Sequence, residues 1–125
     1  MRNYLIVFLG AGLGGAMRHS VNIFALRLFG SGFPFGTLAV NVVGSLLMGI
    51  LFGLFSARWE TQTSLRLFLT TGVLGGFTTF SAFSLDVALL YEQGHTALAL
   101  IYVVVSVALA LTGLFLGMAL ARYIS

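Results

Sequence analysis

The chain has 125 residues, of which 59% are hydrophobic, and only six basic and three acidic side chains. A soluble domain of this size needs a charged, wettable exterior, so this composition excludes an ordinary globular protein and indicates that lipid is the solvent. The formal net charge of +3 does not indicate nucleic-acid binding, because the basic residues are single arginines scattered along the chain.

Long stretches without charge predict four membrane-spanning helices in one domain that covers residues 1–125. A helix needs about 20 apolar residues to cross the roughly 30 Å hydrocarbon core of a bilayer. Short connections, rich in Gly and polar residues, separate the segments that meet this length. The sequence therefore predicts an all-α membrane protein with transmembrane helices at about 4–28, 36–57, 66–91 and 96–122.

The first segment contains a cationic side chain well inside the predicted span or near its far end, Arg18, which lies 14 residues after Tyr4. A cation within a span is costly unless it faces water or a partner, so Arg18 is a candidate for attracting an anion. Snorkelling of its side chain to the lipid headgroups is the alternative. Arg2 followed by an apolar stretch also resembles a secretory signal peptide, but cleavage would discard Arg18.

The second segment contains one amide, Asn41, five residues after Gly36 in an otherwise apolar helix. A buried amide in lipid must form hydrogen bonds across the helix bundle or to a permeating species. Its NH2 group can donate to an anion. The sequence leaves two roles open for Asn41, a contact between helices and a ligand for an ion.

The third segment is predicted to break at its centre. It runs from Arg66 to Tyr91 and would be roughly 39 Å long as a continuous helix, which exceeds the thickness of the hydrocarbon core. A break in lipid exposes backbone groups that can bind ions, and hydroxyl side chains can replace the lost hydrogen bonds. A tilted, glycine-softened helix is the alternative. The centre combines adjacent glycines with hydroxyl residues: Gly75, Gly76, Thr78, Thr79, Ser81 and Ser84.

Two aromatic residues, Phe80 and Phe83, follow the predicted break at a spacing that points them the same way. The edge of a phenyl ring carries partial positive charge, so inward-facing edges could contact an anion and exclude water. Ordinary core packing is the alternative, because the chain contains twelve Phe residues.

The fourth segment contains Tyr102 and Ser106, which lie four residues apart on one helix face and suggest a polar track. A serine that bonds back to its own helix is the alternative. No catalytic set accompanies these residues, because no nucleophile, base and acid occur together around His19 or His95 in the sequence. The absence of Cys also excludes thiolate metal sites, and we predict that the chain is not an enzyme.

Two runs of sequence resemble one known family. Residues 72–84 read GVLGGFTTFSAFS and resemble the GxxGGxTTFSTF signature of the Fluc (CrcB) family of fluoride ion channels. Residues 34–38 read PFGTL, and together with Asn41 they resemble the family's PxGTLxxN element. Length, the number of segments and the order of the motifs agree over the whole chain.

The resemblance implies a fluoride-selective channel for passive fluoride export, built as an antiparallel, dual-topology homodimer with two pores in a bacterial inner membrane. It also implies a structural sodium ion, held by the backbone carbonyls of Gly75 and Thr78. The implied partners are fluoride, lipid and a second copy of the chain, and no nucleic acid. The implied pore residues are Asn41, Phe80, Phe83, Ser81, Thr79, Tyr102, Ser106 and Arg18.

The chain departs from the family pattern at Ala110, where relatives can carry a further hydroxyl, and also at His19 and Asp86. Two other classes of protein remain possible. A small four-helix drug exporter needs a membrane-embedded carboxylate, and Asp86 is the only acid in any predicted span. An accessory membrane subunit would use the glycines and hydroxyls for packing alone.

Overall fold

The computed structural model describes residues 1–55 and 63–124 as a bundle of helices. No β-strand occurs in these two ranges, so the predicted all-α class is confirmed. Most of the predicted connection between the second and third spans lies outside the described residues. The elements are α1 (Arg2–Phe29), α2 (Phe35–Phe55), α3 (Thr63–Leu67), a π-helix (Phe68–Leu74), α4 (Gly75–Phe77), α5 (Phe80–Glu92) and α6 (Thr96–Ile124).

Within the described residues, three helical stretches are long and apolar enough to cross a membrane: Phe35–Phe55, Ser64–Glu92 and Thr96–Ile124. They match three of the four predicted spans, and the chain is a multi-pass membrane protein. The predicted first span is also a helix, α1, of 28 residues. It is less apolar than the others because Arg18 and His19 interrupt its hydrophobic sequence.

Large apolar side chains cover the outside of the bundle, as expected for a protein in lipid. The rings of Phe8, Phe24 and Phe115 are all more than half exposed. The buried core is correspondingly small and divides into two clusters. Phe83, Leu90, Ala99 and Tyr102 form one, and Val40, Leu74 and Phe77 form the other.

Glycines bring α2 and α6 into close contact. A Cβ atom added at Gly49 would overlap the Leu114 carbonyl oxygen, and one added at Gly117 would overlap the Leu46 carbonyl oxygen. Without a hydrophobic force between helices in lipid, such close backbone packing is the main source of helix association. The two helices therefore form a rigid pair along most of their length.

Close packing at glycines also holds α1 against the third segment. A Cβ at Gly10 would lie 2.8 Å from the Phe68 carbonyl oxygen, and one at Gly14 would overlap the Val73 carbonyl oxygen. From the other side, a Cβ at Gly76 would overlap the Ala11 carbonyl oxygen. These contacts fix α1 to the backbone immediately before the functional site.

The helical path of the third segment changes twice. Residues Phe68–Leu74 form a π-helix, a rare form that is frequently found at functional sites. One α-helical turn follows, and then Thr78 (φ −88°, ψ 158°) and Thr79 (φ −154°, ψ 122°) are extended. Because Phe80 begins the next helix, two residues interrupt the helical hydrogen-bond pattern inside this apolar segment.

Candidate functional site

Asn41 joins α2 to the interruption through both atoms of its amide. Its Oδ1 accepts a hydrogen bond of 2.8 Å from the Thr79 N–H, and its Nδ2 donates one of 3.0 Å to the Thr79 carbonyl. One side chain thus satisfies both backbone groups of an extended residue, which water cannot do within hydrocarbon. The bond to the carbonyl uses one of the two N–H donors that an amide carries.

The two threonines at the interruption end one helix and begin the next. The Thr78 hydroxyl and the Thr78 N–H both donate to the Leu74 carbonyl, at 2.9 and 3.0 Å. The Thr79 Oγ1 accepts from the Ala82 N–H at 3.1 Å, so Thr79 is the N-cap of α5. The Ser81 hydroxyl lies 3.4 Å from the same Thr79 oxygen.

These bonds leave two backbone carbonyls without their usual helical donors. In a continuous α-helix the Thr79 N–H would bond to the Gly75 carbonyl, and the Ala82 N–H would bond to the Thr78 carbonyl. Here both N–H groups donate to side chains instead. Gly75 and Thr78 are the two residues whose carbonyls the family resemblance implies as sodium ligands.

A cation at this position would bind oxygen atoms of the backbone or of hydroxyl side chains. No group of three or more His, Asp or Glu side chains that could hold a metal ion occurs in residues 1–55 and 63–124. Carbonyl oxygens are suitable ligands for hard cations. The donor set at the interruption therefore fits sodium better than it fits a transition metal.

Arg18 reaches the interruption from α1. Its Nε donates a hydrogen bond of 3.1 Å to the Gly76 carbonyl, and the residue is half-buried. The guanidinium therefore contacts the end of a helix, where a cation is favoured by the partial negative charge of terminal carbonyls. This bond uses one of five N–H donors on the guanidinium.

A groove of about 330 Å³ runs beside the interruption between α2, α5 and α6. It brings together five of the residues that the sequence singled out as pore residues, and no described residue that lines it is charged. The wall of the groove is therefore mostly apolar, with a few uncharged polar side chains at separate positions. These five residues are Asn41, Thr79, Phe80, Phe83 and Ser106.

Ser106 is the most informative of them. Its side chain is 6% exposed, and its Oγ is the one buried side-chain polar atom of the described residues without a hydrogen-bond partner. Ser20 and Ser84, in contrast, each donate to a carbonyl one turn earlier in their own helices. An unpaired buried hydroxyl destabilises a fold, so it calls for a functional explanation, such as a ligand.

The two phenylalanines differ sharply in burial. The ring of Phe80 is 78% exposed, whereas Phe83 is 9% exposed and belongs to the core with Tyr102. Their ring centroids are 5.5 Å apart, and Phe83 lies 5.2 Å from Tyr102. Core packing therefore accounts for the position of Phe83 and does not account for that of Phe80.

Tyr102 lies outside the groove. It is fully buried, and its hydroxyl donates a 3.0 Å hydrogen bond to the Asp86 carboxylate. Asp86 lines a second cavity of about 350 Å³, together with Asn22, Thr37 and Gln93. The two residues of the predicted polar face of α6 therefore have different surroundings. Tyr102 contacts Asp86 on α5, whereas Ser106 lines the groove.

Sequence reasoning missed one polar side chain of the groove, Ser45. The signal was present, since Ser45 follows Asn41 by four residues and therefore lies on the same face of α2. It also missed the use of both Asn41 amide atoms by Thr79, because the two residues are 38 positions apart in the chain.

Comparisons with known proteins agree over nearly the whole chain. A family model described as CrcB-like protein, Camphor Resistance (CrcB), matches residues 5–118. A relative from Methylobacterium sp. (strain 4-46) is 57% identical, and one from Rhodopseudomonas palustris (strain BisB5) is 55% identical, each over 98% of both chains. Both are named fluoride-specific ion channel FluC. A relative from Nitrobacter hamburgensis, named fluoride-specific ion channel FluC 2, is 54% identical over 98% of this chain and 99% of its own.

Proposed function

Because this chain belongs to the CrcB-like family, we propose that it is a fluoride-selective ion channel that lets fluoride leave the cell passively. The resemblance inferred from the sequence is confirmed, and so is the prediction that the chain is not an enzyme. The observation that carries the proposal is identity above 50%, over almost the full length, to relatives named as fluoride-specific channels.

The groove has the chemistry that a fluoride path requires. Fluoride is small and strongly hydrated, so it sheds water only where fixed donors replace that water, and a full opposing charge would trap it. The second N–H of Asn41 and the unpaired hydroxyl of Ser106 are donors of this kind, and no charged residue lines the groove. Chloride is larger and would not fit the same arrangement.

The remaining predicted residues support this path in different ways. The positive ring edges of Phe80 and Phe83 contact the ion where hydroxyls are absent. Thr79 and Ser81 hold the start of α5 next to these rings. Arg18 places a positive charge beside the interruption and raises the local concentration of anions. Tyr102 donates to Asp86 and so limits the negative charge of that carboxylate near the path.

The channel is proposed to be an antiparallel homodimer with two pores and a central sodium ion. Gly75 and Thr78 offer two carbonyls that lack their helical donors, and Gly75 is exposed on the single chain. Two oxygens are too few to enclose a hard cation, which prefers several oxygen ligands. A second copy of the chain supplies the same pair again. Sodium then neutralises the partial negative charge of the carbonyls at the interruption.

A flux experiment tests the proposal. The purified protein is reconstituted into liposomes loaded with fluoride or chloride, and efflux is followed with and without a proton gradient. We expect rapid fluoride efflux that needs no proton coupling, little chloride efflux, and loss of the oligomer's stability when sodium is replaced by a larger cation. Drug–proton exchange would indicate a small exporter instead, and no transport at all would indicate an accessory subunit.

The proposed orientation is tested by labelling. Arg2, Arg66 and Arg122 lie near the membrane face that carries the termini and Arg27 lies near the opposite face, a bias toward cytoplasmic termini. Arg58, which adds to this bias in the sequence, lies outside the described residues. We propose that both orientations occur in the bacterial inner membrane. Single cysteines introduced near the termini should be labelled from both sides, and labelling from one side only would contradict the antiparallel dimer.

Phe80→Ile and Phe83→Ile should each reduce fluoride efflux severely, because isoleucine keeps the hydrophobic character but lacks the positive ring edge. Phe115→Ile is the control, since that ring is 63% exposed on α6 and lies outside the groove. Efflux and oligomer integrity should be measured together. Phe83→Ile should also destabilise the fold by about 1 kcal/mol, as expected for a buried ring. Normal efflux in both variants would show that neither ring edge contacts the ion.

A further inference from the structure

The polar face of α6 ends within the groove. Ser106 is followed one turn later by Ala110, which lines the same groove and offers no hydrogen-bond donor. An ion that leaves Ser106 in that direction would therefore find no donor on α6. This gap must be filled from another wall if the groove carries a dehydrated anion beyond Ser106.

Ser45 is placed to fill the gap. It lines the groove from α2, the helix that packs most extensively against α6. It also lies one turn beyond Asn41, about 5–6 Å along the same face of α2. The groove thus has two pairs of residues on facing walls, Asn41 and Ser45 on α2 and Ser106 and Ala110 on α6. Of these four side chains, only that of Ala110 is apolar.

The hydroxyl of Ser45 forms no hydrogen bond within the described part of the chain. Among the hydrogen bonds of the described residues, none involves its Oγ. Four other hydroxyls of the bundle donate to the carbonyl four residues earlier, which is the usual arrangement in apolar helices. Ser45 shares with Ser106 the lack of a hydrogen bond, although only the Ser106 Oγ is buried, and it differs from the four residues that form such a bond, which are Ser20, Thr70, Thr78 and Ser84.

We propose that Ser45 is a further hydroxyl ligand of the anion path, and that the path crosses from Ser106 on α6 to Ser45 on α2 where Ala110 leaves α6 without a donor. This inference rests on the proposed function as a fluoride channel. A serine hydroxyl can rotate to donate to a passing ion, and a hydrogen bond to a charged group is stronger than one between neutral groups. A role in packing alone would not need the oxygen, because alanine has nearly the same volume.

The experiment replaces Ser45 and then supplies a hydroxyl on the opposite wall. Ser45→Ala should lower the rate of fluoride efflux by about tenfold, as expected when a hydrogen bond to a charged group is lost. Ser20→Ala is the matched control, since that hydroxyl donates to its own helix on α1, and it should conduct at the wild-type rate. The double variant Ser45→Ala/Ala110→Ser should recover much of the lost rate.

Each outcome decides the matter. Ser45→Cys, which keeps the size but donates weakly, should fall between Ala and Ser, and oligomer integrity measured by gel filtration should be unchanged in every variant. Wild-type efflux in Ser45→Ala would overturn the inference and leave the proposed function intact. Loss without recovery in the double variant would overturn the crossing from one wall to the other. A wild-type protein that moves no fluoride would overturn the proposed function as well.

Discussion

Replacing Asn41 with Asp is expected to abolish fluoride efflux and to destabilise the fold at the same time. The Asp variant keeps an acceptor for the Thr79 N–H but loses the donor to the Thr79 carbonyl, and it places a second oxygen about 3.0 Å from that carbonyl. An unsatisfied buried group costs about 1–3 kcal/mol. The carboxylate also puts negative charge in the path of an anion, where charge is poorly tolerated.

The two effects separate the two roles that the sequence left open for Asn41. If Asn41 only contacted the ion, its replacement would abolish efflux and leave the stability of the fold unchanged. If it only joined helices, its replacement would first lower the stability of the fold. Efflux and thermal unfolding in detergent should therefore be measured on Asn41→Asp and on Asn41→Leu, which removes both hydrogen bonds to Thr79. Asn3→Asp is the control, because the same change there occurs at an exposed site. Unchanged stability in both Asn41 variants would contradict the dual hydrogen bond.

Gly14→Ala is expected to be the most disruptive single methyl addition in α1. The added Cβ would overlap the Val73 carbonyl oxygen and lie 2.8 Å from the Phe77 nitrogen. Both neighbours are backbone atoms, so neither can turn aside as a flexible side chain would. Overpacking of this kind costs about 1–3 kcal/mol, and we also expect efflux to fall because the backbone that leads into the interruption must shift.

The same helix provides the controls. A Cβ at Gly12 or Gly15 meets nothing within 4 Å in a single chain. Alanine is favoured over glycine within a helix by about 1 kcal/mol, so Gly12→Ala and Gly15→Ala should be neutral or stabilising. Unfolding of the three variants in rising concentrations of denaturing detergent gives the comparison. Equal stability of Gly14→Ala and Gly12→Ala would mean that α1 does not pack against the π-helix as described.

The sequence predicted the helical segments because they depend on local chemistry. Apolar length defines the spans, and the density of glycine and hydroxyl residues around Gly75 and Thr79 marks where a helix can stop. The π-helix at Phe68–Leu74 was not predicted, because its residues are equally compatible with an α-helix. This stretch packs closely against α1 at Gly10 and Gly14, a tertiary contact that the local sequence does not reveal.

Tertiary partners were harder to predict than positions. Helix periodicity placed Tyr102 and Ser106 on one face of α6, but it does not say what each residue meets along that face. One turn of separation brings Tyr102 to Asp86 and leaves Ser106 at the groove. The bond from Arg18 to the Gly76 carbonyl was missed for the same reason, since it joins residues 58 positions apart.

The interruption at Thr78 and Thr79 has a mechanical consequence. Arg18 on α1 forms a hydrogen bond to the Gly76 carbonyl, and Asn41 on α2 forms one to the Thr79 carbonyl, three residues later. Any displacement of this stretch would have to carry two further helices with it. The place where the backbone leaves its regular geometry is therefore tied to two neighbouring helices, and we expect it to move less than an unsupported break in a helix would.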